Sequence, residues 1–243
     1  MAAGDGVRVA IIGATSAIAQ ATAACYAEEH AAFLLVARDA AKLAAVAADL
    51  RVRGAARVDE LVADLADFAR HHAIAAEAAD VDIVLIAHGS LPDQRAIDRD
   101  PTAQVEAFTL NATSVISLAA EFANVLEARR GGTLAVIGSV AGDRGRRSNY
   151  VYGAAKAAIH SYCDGLRGRL AEAGANVLLI KPGWVDTPMT SGMKKNPLFA
   201  GARSVGRGIH DAIAAKRAVV YLPWFWRWIS LIVRMLPARF IKF

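Results

Sequence analysis

The sequence predicts a doubly wound α/β domain built on a parallel sheet of about seven strands. Three observations predict it. Short apolar runs alternate regularly with longer, alanine-rich segments of helical character along the 243 residues. Those runs are continuously apolar, as strands buried on both faces of a sheet must be. No repeat, low-complexity linker or shift of composition divides the chain, and its length suits one large core.

Each element follows from local sequence. Residues 7–12 form the first strand, Gly13 begins the turn after it, and 16–30 form a helix. Residues 33–37 make the second strand and 40–52 the next helix. A weaker strand at 57–61, a helix at 66–79 and a strand at 83–87 complete the first half. Asp100-Pro101 is a strong helix start, with the carboxylate capping free amides and proline at the first helical position. One long helix is therefore expected over 101–129. Strand 133–137, helix 150–173, strand 177–180, helix 202–215 and strand 218–222 finish the alternation. Ligands in such a fold bind beyond the carboxyl ends of the strands. The expected domain is 1–222, with 223–243 as an amphipathic tail of the same unit.

Composition narrows the function. Hydrophobic residues make up 55% of the chain, which is ample for a core and unlike a disordered segment. Cys25 and Cys163, the only cysteines, fall inside expected helices and read as packing residues of a reducing compartment. The histidines and cysteines never adopt ligand spacing, which argues against a metal centre. The run at 7–12 is too short for a signal sequence. The net charge is +5, concentrated towards the C-terminal end, and no nucleic-acid motif accompanies it. A cytoplasmic protein without a nucleic-acid partner is the expectation.

Strand 7–12 leads into Gly13-Ala14-Thr15-Ser16-Ala17-Ile18-Ala19 and then a helix. Glycine permits the sharp turn, and the helix N-terminus offers free amides to a pyrophosphate. Small residues at 17 and 19 let the helix pack closely and admit a dinucleotide. At the tip of the second strand, Ala37 takes the place of an acid that would bind a ribose 2′-hydroxyl. Arg38 follows, and its guanidinium suits a 2′-phosphate, so NADP(H) is the preferred cofactor and NAD(H) the alternative. Asp39 either caps the next helix or neutralises Arg38. Asp64, just after the third strand, either bonds the adenine amino group or caps the helix that follows.

Tyr152 and Lys156 stand four residues apart, about one helical turn, and so emerge from one face. A phenol has a pKa of about 10. An ammonium beside it favours the phenolate, lowers that pKa and makes proton exchange with a substrate oxygen feasible. Ser139, thirteen positions upstream at the end of the run Thr133–Ile137, is placed to hold a carbonyl oxygen.

In order and at matching spacing, Gly13 with its turn, Asp64, Asn111, Ser139, Tyr152 with Lys156, and Pro182-Gly183-Trp184-Val185-Asp186-Thr187 resemble the short-chain dehydrogenase/reductase family over nearly the whole chain. The resemblance implies a Rossmann sheet and a catalytic set of Ser139, Tyr152, Lys156 and Asn111. In it Asn111 links Lys156 to a proton relay through a water. It implies dinucleotide contacts at Gly13, Thr15, Ser16, Ala17, Ile18, Arg38, Asp64, Leu65, Ala87 and Gly89. Further contacts fall on Tyr152, Lys156, Pro182, Gly183, Val185 and Thr187, the last four as a nicotinamide clamp. Two departures stand out. Ala17 and Ala19 occupy usual glycine positions, and Ile86-Ala87-His88-Gly89 replaces the usual Asn-Asn-Ala-Gly, with His88 read as a packing histidine or a pocket liner.

The segment 142–153, the Pro-Gly stretch and the tail also resemble the decaprenylphosphoryl-2-keto-ribose reductases and related reductases of bacterial surface polysaccharides. That implies a keto-sugar on a lipid phosphate, with a reductase of 3-oxoacyl thioesters or small ketones as the alternative enzyme. A dinucleotide-binding sensor or assembly partner without catalysis is the alternative of another class. Arg144, Arg146 and Arg147 are expected near the substrate mouth, where guanidiniums can hold a phosphate, or else in a solvated, salt-bridged loop. Trp184 is expected beside the substrate, and loop 187–201 resembles a mobile lid. The stretch 223–237 is aromatic and apolar but interrupted by Arg227 and Arg234, too short and too charged to span a bilayer. Arg239 and Lys242 add to its positive charge. It is expected to make peripheral membrane contact, with packing on the domain or at a homodimer or homotetramer interface as the alternative.

Overall fold

The apolar runs assemble into the expected sheet in a computed structural model that describes residues 6–237. Its strands are β1 (Arg8–Ile12), β2 (Ala32–Ala37), β3 (Arg57–Val62), β4 (Ile83–Ile86), β5 (Thr133–Ile137) and β6 (Asn176–Pro182). A short parallel ribbon of β7 (Val185–Asp186) and β8 (Ala200–Gly201) follows, then β9 (Val219–Leu222). The seven-stranded sheet is parallel throughout, in the order β3-β2-β1-β4-β5-β6-β9. The chain reverses its winding direction between β1 and β4, where such sheets open a ligand crevice. β3 lies at an edge with only Val58 buried, which is why its sequence reads as a weaker strand.

Side chains leave the strands on alternate sides and fill two cores. Val9, Ile11, Leu35 and Leu85 pack against α1 (Ala17–Glu28), α2 (Ala40–Val52) and α8 (Ala202–Ala214). Ala10, Ile12, Val84, Ile86 and Leu134 pack against α3 (His71–Glu77), α6 (Ser114–Arg129) and α7 (Tyr150–Ala171). Each large apolar side chain buried this way contributes about 1.5–3 kcal/mol. Gly206 brings α8 onto α1 backbone to backbone, since a Cβ there would lie 2.5 Å from the Ala21 carbonyl carbon. Cys25 and Cys163 are buried and unpaired, as packing residues.

Three features differ from the sequence expectation, and a fourth, the tail, takes the expected amphipathic form. The helix expected at 66–79 starts later: Asp67 caps a single 3-10 turn, Phe68–Arg70, by accepting the Ala69 amide at 3.1 Å, and α3 follows. The long helix at 101–129 is broken into α5 (Pro101–Phe108), a wide π-helical turn at Thr109–Thr113, and α6. Within that turn the Asn111 side-chain amide donates to the Ala107 carbonyl at 2.9 Å, taking the acceptor that a regular helix would give to backbone. A short α4 (Gln94–Ile97) is new, capped by Asp93. The tail folds as α9 (Trp226–Met235) against the domain, and Arg239 and Lys242 lie outside the described residues. Among the described residues no helix is long and apolar enough to cross a membrane, and no His, Cys, Asp and Glu cluster could hold a metal ion.

Candidate active site

The site begins at the carboxyl end of β1. Gly13 has φ +90°, and a Cβ there would lie 2.6 Å from the His88 amide nitrogen, so both conformation and space require glycine. α1 then starts at Ala17. Ser16 makes no side-chain cap, so the first-turn amides stay available for an anion. Ala19 is fully buried against the sheet while Ala17 lines the cleft, and both sit in helical backbone that alanine adopts without strain.

A cleft of about 320 Å³ runs from Arg38 along Gly13, Thr15, Ser16, Ala17 and Ile18, past Asp64 and Leu65, to Ala87, Gly89 and Thr187. It shares Ser16, Ile18, Ala87, His88, Gly89, Thr187 and Met189 with a second cavity of about 150 Å³. That cavity holds Asn111, Ser139, Tyr152, Lys156, Pro182, Gly183, Trp184 and Val185. The two form one groove across the carboxyl ends of β1, β4, β5 and β6. Its shape fits a dinucleotide: glycine where backbone must approach, a helix N-terminus for the pyrophosphate, and an exposed Arg38 at the far end. The Asp39 carboxylate accepts the Lys42 amide at 3.0 Å and pairs with its ammonium at 3.3 Å. Asp39 is thus the cap of α2 and not the counter-ion of Arg38. Asp64 is not a helix cap; it accepts the Ala66 amide at 3.0 Å and lines the cleft.

At the inner end the chemistry is buried. The Lys156 ammonium donates to the Ile137 carbonyl at 2.9 Å and lies 5.6 Å from the Tyr152 ring centre. Burial pushes the Tyr152 phenol up to about 12, against a smaller downward pull from the Ser139 hydroxyl, and pushes Lys156 down to about 8. The direction of the Tyr152 shift is thus set by desolvation, and the expected lowering by Lys156 is not among its causes here. The Ser139 hydroxyl oxygen accepts the Ala141 amide at 3.1 Å, which turns its proton outward. Asn111 sits at the wide turn, its carbonyl oxygen accepting the Ser90 amide at 2.9 Å. A Cβ on Gly89 would lie 2.7 Å from that same oxygen and 3.8 Å from the Lys156 nitrogen, so only glycine lets this strand end pass between them.

The arginine loop divides. Arg146 lines the groove, half-buried, with its guanidinium lowered by desolvation. Arg147 is exposed outside it. Arg144 turns away and donates to the Arg234 and Leu236 carbonyls at 3.1 and 3.2 Å, holding the end of α9. The loop expectation for Arg144 fails because the orphan carbonyls of a helix C-terminus capture its guanidinium. Trp184 sits between Phe199 and Trp226, tilted to the first and edge-on to the second, with ring centres 5.6 and 5.5 Å away. Gly183 makes room for the Trp226 indole, which a Cβ would strike. Loop 187–201 is pinned at both ends by β7 and β8 and brings Met189 and Met193 to the groove.

His88 both packs and lines. Its Nε2 meets the Ser114 hydroxyl at 2.8 Å, its Nδ1 is buried without a partner, and burial with the nearby Lys156 cation holds it at about 3, hence neutral. Sequence reasoning missed Asn149, Ser90 and Leu110, all lining the groove. Asn149 buries a side-chain carbonyl oxygen without a partner; its position just before a helix was the available signal. Also missed was a cluster behind Ser139. The Asp143 carboxylate takes the Lys181 ammonium at 2.6 Å and the Tyr221 phenol at 3.1 Å, both partly or wholly buried. His160 lies 3.6 Å away, held near 4 by burial and by the Lys181 cation.

A family model described as short chain dehydrogenase matches residues 8–197. An uncharacterised oxidoreductase of Mycobacterium tuberculosis is 34% identical over 215 residues, covering 87% of this chain and 86% of its own. The galactitol 2-dehydrogenase (L-tagatose-forming) of Cereibacter sphaeroides is 30% identical over 198 residues, covering 79% of this chain and 77% of its own. A short-chain dehydrogenase from Sphingobium yanoikuyae, solved in complex with NADPH, superposes with a TM-score of 0.83 at 26% identity, covering 96% of this chain and 97% of that one. With sheet order, glycine turn, half-buried Ser139 and Tyr152 and buried Lys156 already in place, these likenesses identify the chain as a member of the short-chain dehydrogenase family, an oxidoreductase on a dinucleotide-binding fold.

Proposed function

We propose that the protein is an NADP(H)-dependent reductase that turns a ketone into a secondary alcohol, its preferred substrate a keto-sugar on a (poly)prenyl phosphate or nucleotide carrier. The observation that carries this reading is one groove with Arg38 at one end and Ser139, Tyr152 and Lys156 at the other. The Sphingobium relative solved with NADPH supports the cofactor, and Arg38, with Asp39 engaged elsewhere, supplies the cation for a 2′-phosphate. A relative that forms L-tagatose supports a sugar ketone, and half-buried Arg146 is placed for a phosphate on its carrier.

Gly13, the α1 amides and Arg38 would hold the cofactor, which supplies a hydride when bound. The Ser139 hydroxyl donates to the carbonyl oxygen and fixes its direction. As the oxygen gains charge, Tyr152 gives it the phenolic proton, so ketone, hydride and proton balance to the alcohol. Lys156 holds a positive charge beside the phenol as it becomes a phenolate. The groove walls, with Trp184, Met189 and Met193, keep water from the reacting centre. A homodimer or homotetramer and peripheral membrane contact through the tail belong to the same reading.

The test is a titration with NADPH and NADH followed by energy transfer from tryptophan to the nicotinamide. NADPH is expected to bind the more tightly, and Arg38→Ala to weaken NADPH by roughly 10- to 100-fold with little change for NADH. Equal losses would remove the cofactor assignment. A turnover screen then compares keto-sugar phosphates with 3-oxoacyl thioesters. Turnover of the thioesters alone would move the substrate to that class, and tight NADPH binding with no turnover would leave a binding module.

A further inference from the structure

α9 is mounted with its apolar side outward. At about 100° per residue, Trp226 and Ser230 face the domain and are buried. The opposite side carries Trp228, Leu231, Ile232 and Met235, between 45% and 77% exposed, and Trp224 just before the helix is 71% exposed. A surface helix normally shows the reverse pattern. Polar atoms follow the same inversion: the Trp226 Nε1 and the Ser230 hydroxyl are buried on the inner side with no partner among the described residues. The orientation is fixed rather than frayed. Gly183 seats the Trp226 ring, Trp184 meets it edge-on, and Arg144 holds the last carbonyls. A continuous apolar strip of this kind on a soluble domain marks a contact surface.

Charge decides what it contacts. Arg227 and Arg234 are both exposed and flank the strip on one side, where both bear on the Tyr221 phenol. From Ala212 to Phe243 the sequence carries six Lys and Arg and no Asp or Glu. Asp211 shares a groove with Trp224 and Arg227, and Asp143, which also meets the Tyr221 phenol, is already paired with Lys181. A second copy meeting this face by twofold symmetry would set like-charged rows together. Tryptophan and arginine along a helix edge suit the headgroup layer of a bilayer.

We propose that α9 docks the protein on an anionic bilayer, with Trp224, Trp228, Leu231, Ile232 and Met235 entering the interface and Arg227 and Arg234 pairing with headgroups. The opposite side of the same helix backs Gly183 and Trp184 of the groove, so a lipid-linked carbonyl would approach along it. This last point rests on the proposed activity; the docking itself does not.

The full chain is mixed with vesicles of phosphatidylcholine alone or with phosphatidylglycerol, and sedimentation and tryptophan emission are followed. Binding is expected only to the anionic vesicles, with a blue shift from Trp224 and Trp228 and weakening by salt. Arg227→Gln with Arg234→Gln should lower the partition by roughly 30-fold. Trp228→Glu or Ile232→Glu, both at exposed positions, should abolish it while NADPH binding is unchanged. A chain that stays in the supernatant, or binds equally well as Trp228→Glu, overturns the proposal. So does a lipid-free oligomer that Ile232→Glu dissociates, which would give the face to a second copy. Turnover of a soluble ketone by the same samples separates the two readings: turnover without vesicle binding sinks docking alone, and vesicle binding without turnover sinks the carbonyl reading alone.

Discussion

In the proposed reduction, Tyr152 would give up a proton from a place that favours keeping it. With the phenol near 12 and Lys156 near 8, the pair at neutral pH is a protonated phenol beside a mainly cationic amine. That is the starting state for reduction; oxidation would need the phenolate. Tyr152→Phe should leave NADPH affinity intact and lower kcat by roughly 10²- to 10⁴-fold, whereas unchanged turnover would place the acid elsewhere. The pH profile carries a sign. Lys156 is cationic below its pKa and loses its charge as pH rises through about 8. The kcat/KM for reduction should therefore fall on the alkaline side of that value, and a profile flat well beyond it would show that the charge is not needed. Tyr152, Lys156, Ser139 and Gly13 were legible in the sequence because their chemistry or backbone conformation admits few other residues. Arg144 was not, since an arginine in a loop follows whichever acceptors the tertiary fold presents, here the end of α9.

Among the elements, the strands were the most legible and the breaks within helices the least. The helical pattern of 101–129 runs through Thr109–Thr113 without a proline or glycine, so only the Asn111 bond to Ala107 reveals the wide turn. The tail was legible as an aromatic, basic amphipathic segment, but which side it turns inward depends on a space beside Gly183. Gly183→Ala puts a methyl group on the Trp226 indole. Overpacking of this kind costs about 1–3 kcal/mol. Denaturant unfolding should show a loss in that range, with α9 displaced and the Trp184–Trp226 contact broken; an unchanged midpoint would mean that the helix is seated by Arg144 instead.

For the whole molecule, the order of strands and the position of the groove follow from parallel connectivity, which alternation already implied. The Asp143 cluster could not be read, because its members lie on β6, α7, β9 and the turn after Ser139, up to 78 residues apart. It joins the edge of the sheet to the turn that follows Ser139. Asp143→Ala leaves the Lys181 ammonium buried and unpaired, which costs about 3–5 kcal/mol, and Tm should fall by roughly 10 °C. A smaller shift would mean that the amine escapes to solvent. The wide turn at Thr109–Thr113 also sets the rotational phase of everything after it. Deleting one residue within the turn closes it to a regular helical one and keeps α6 in phase, whereas deleting one in α6 ahead of Leu118 turns the rest of that helix by about 100°. Leu118, Phe122 and Leu126 would then swing out of the core they now fill. The same extra residue can mislead an alignment: a gap placed in this smooth helical pattern at any other position puts α6 out of phase with its own template.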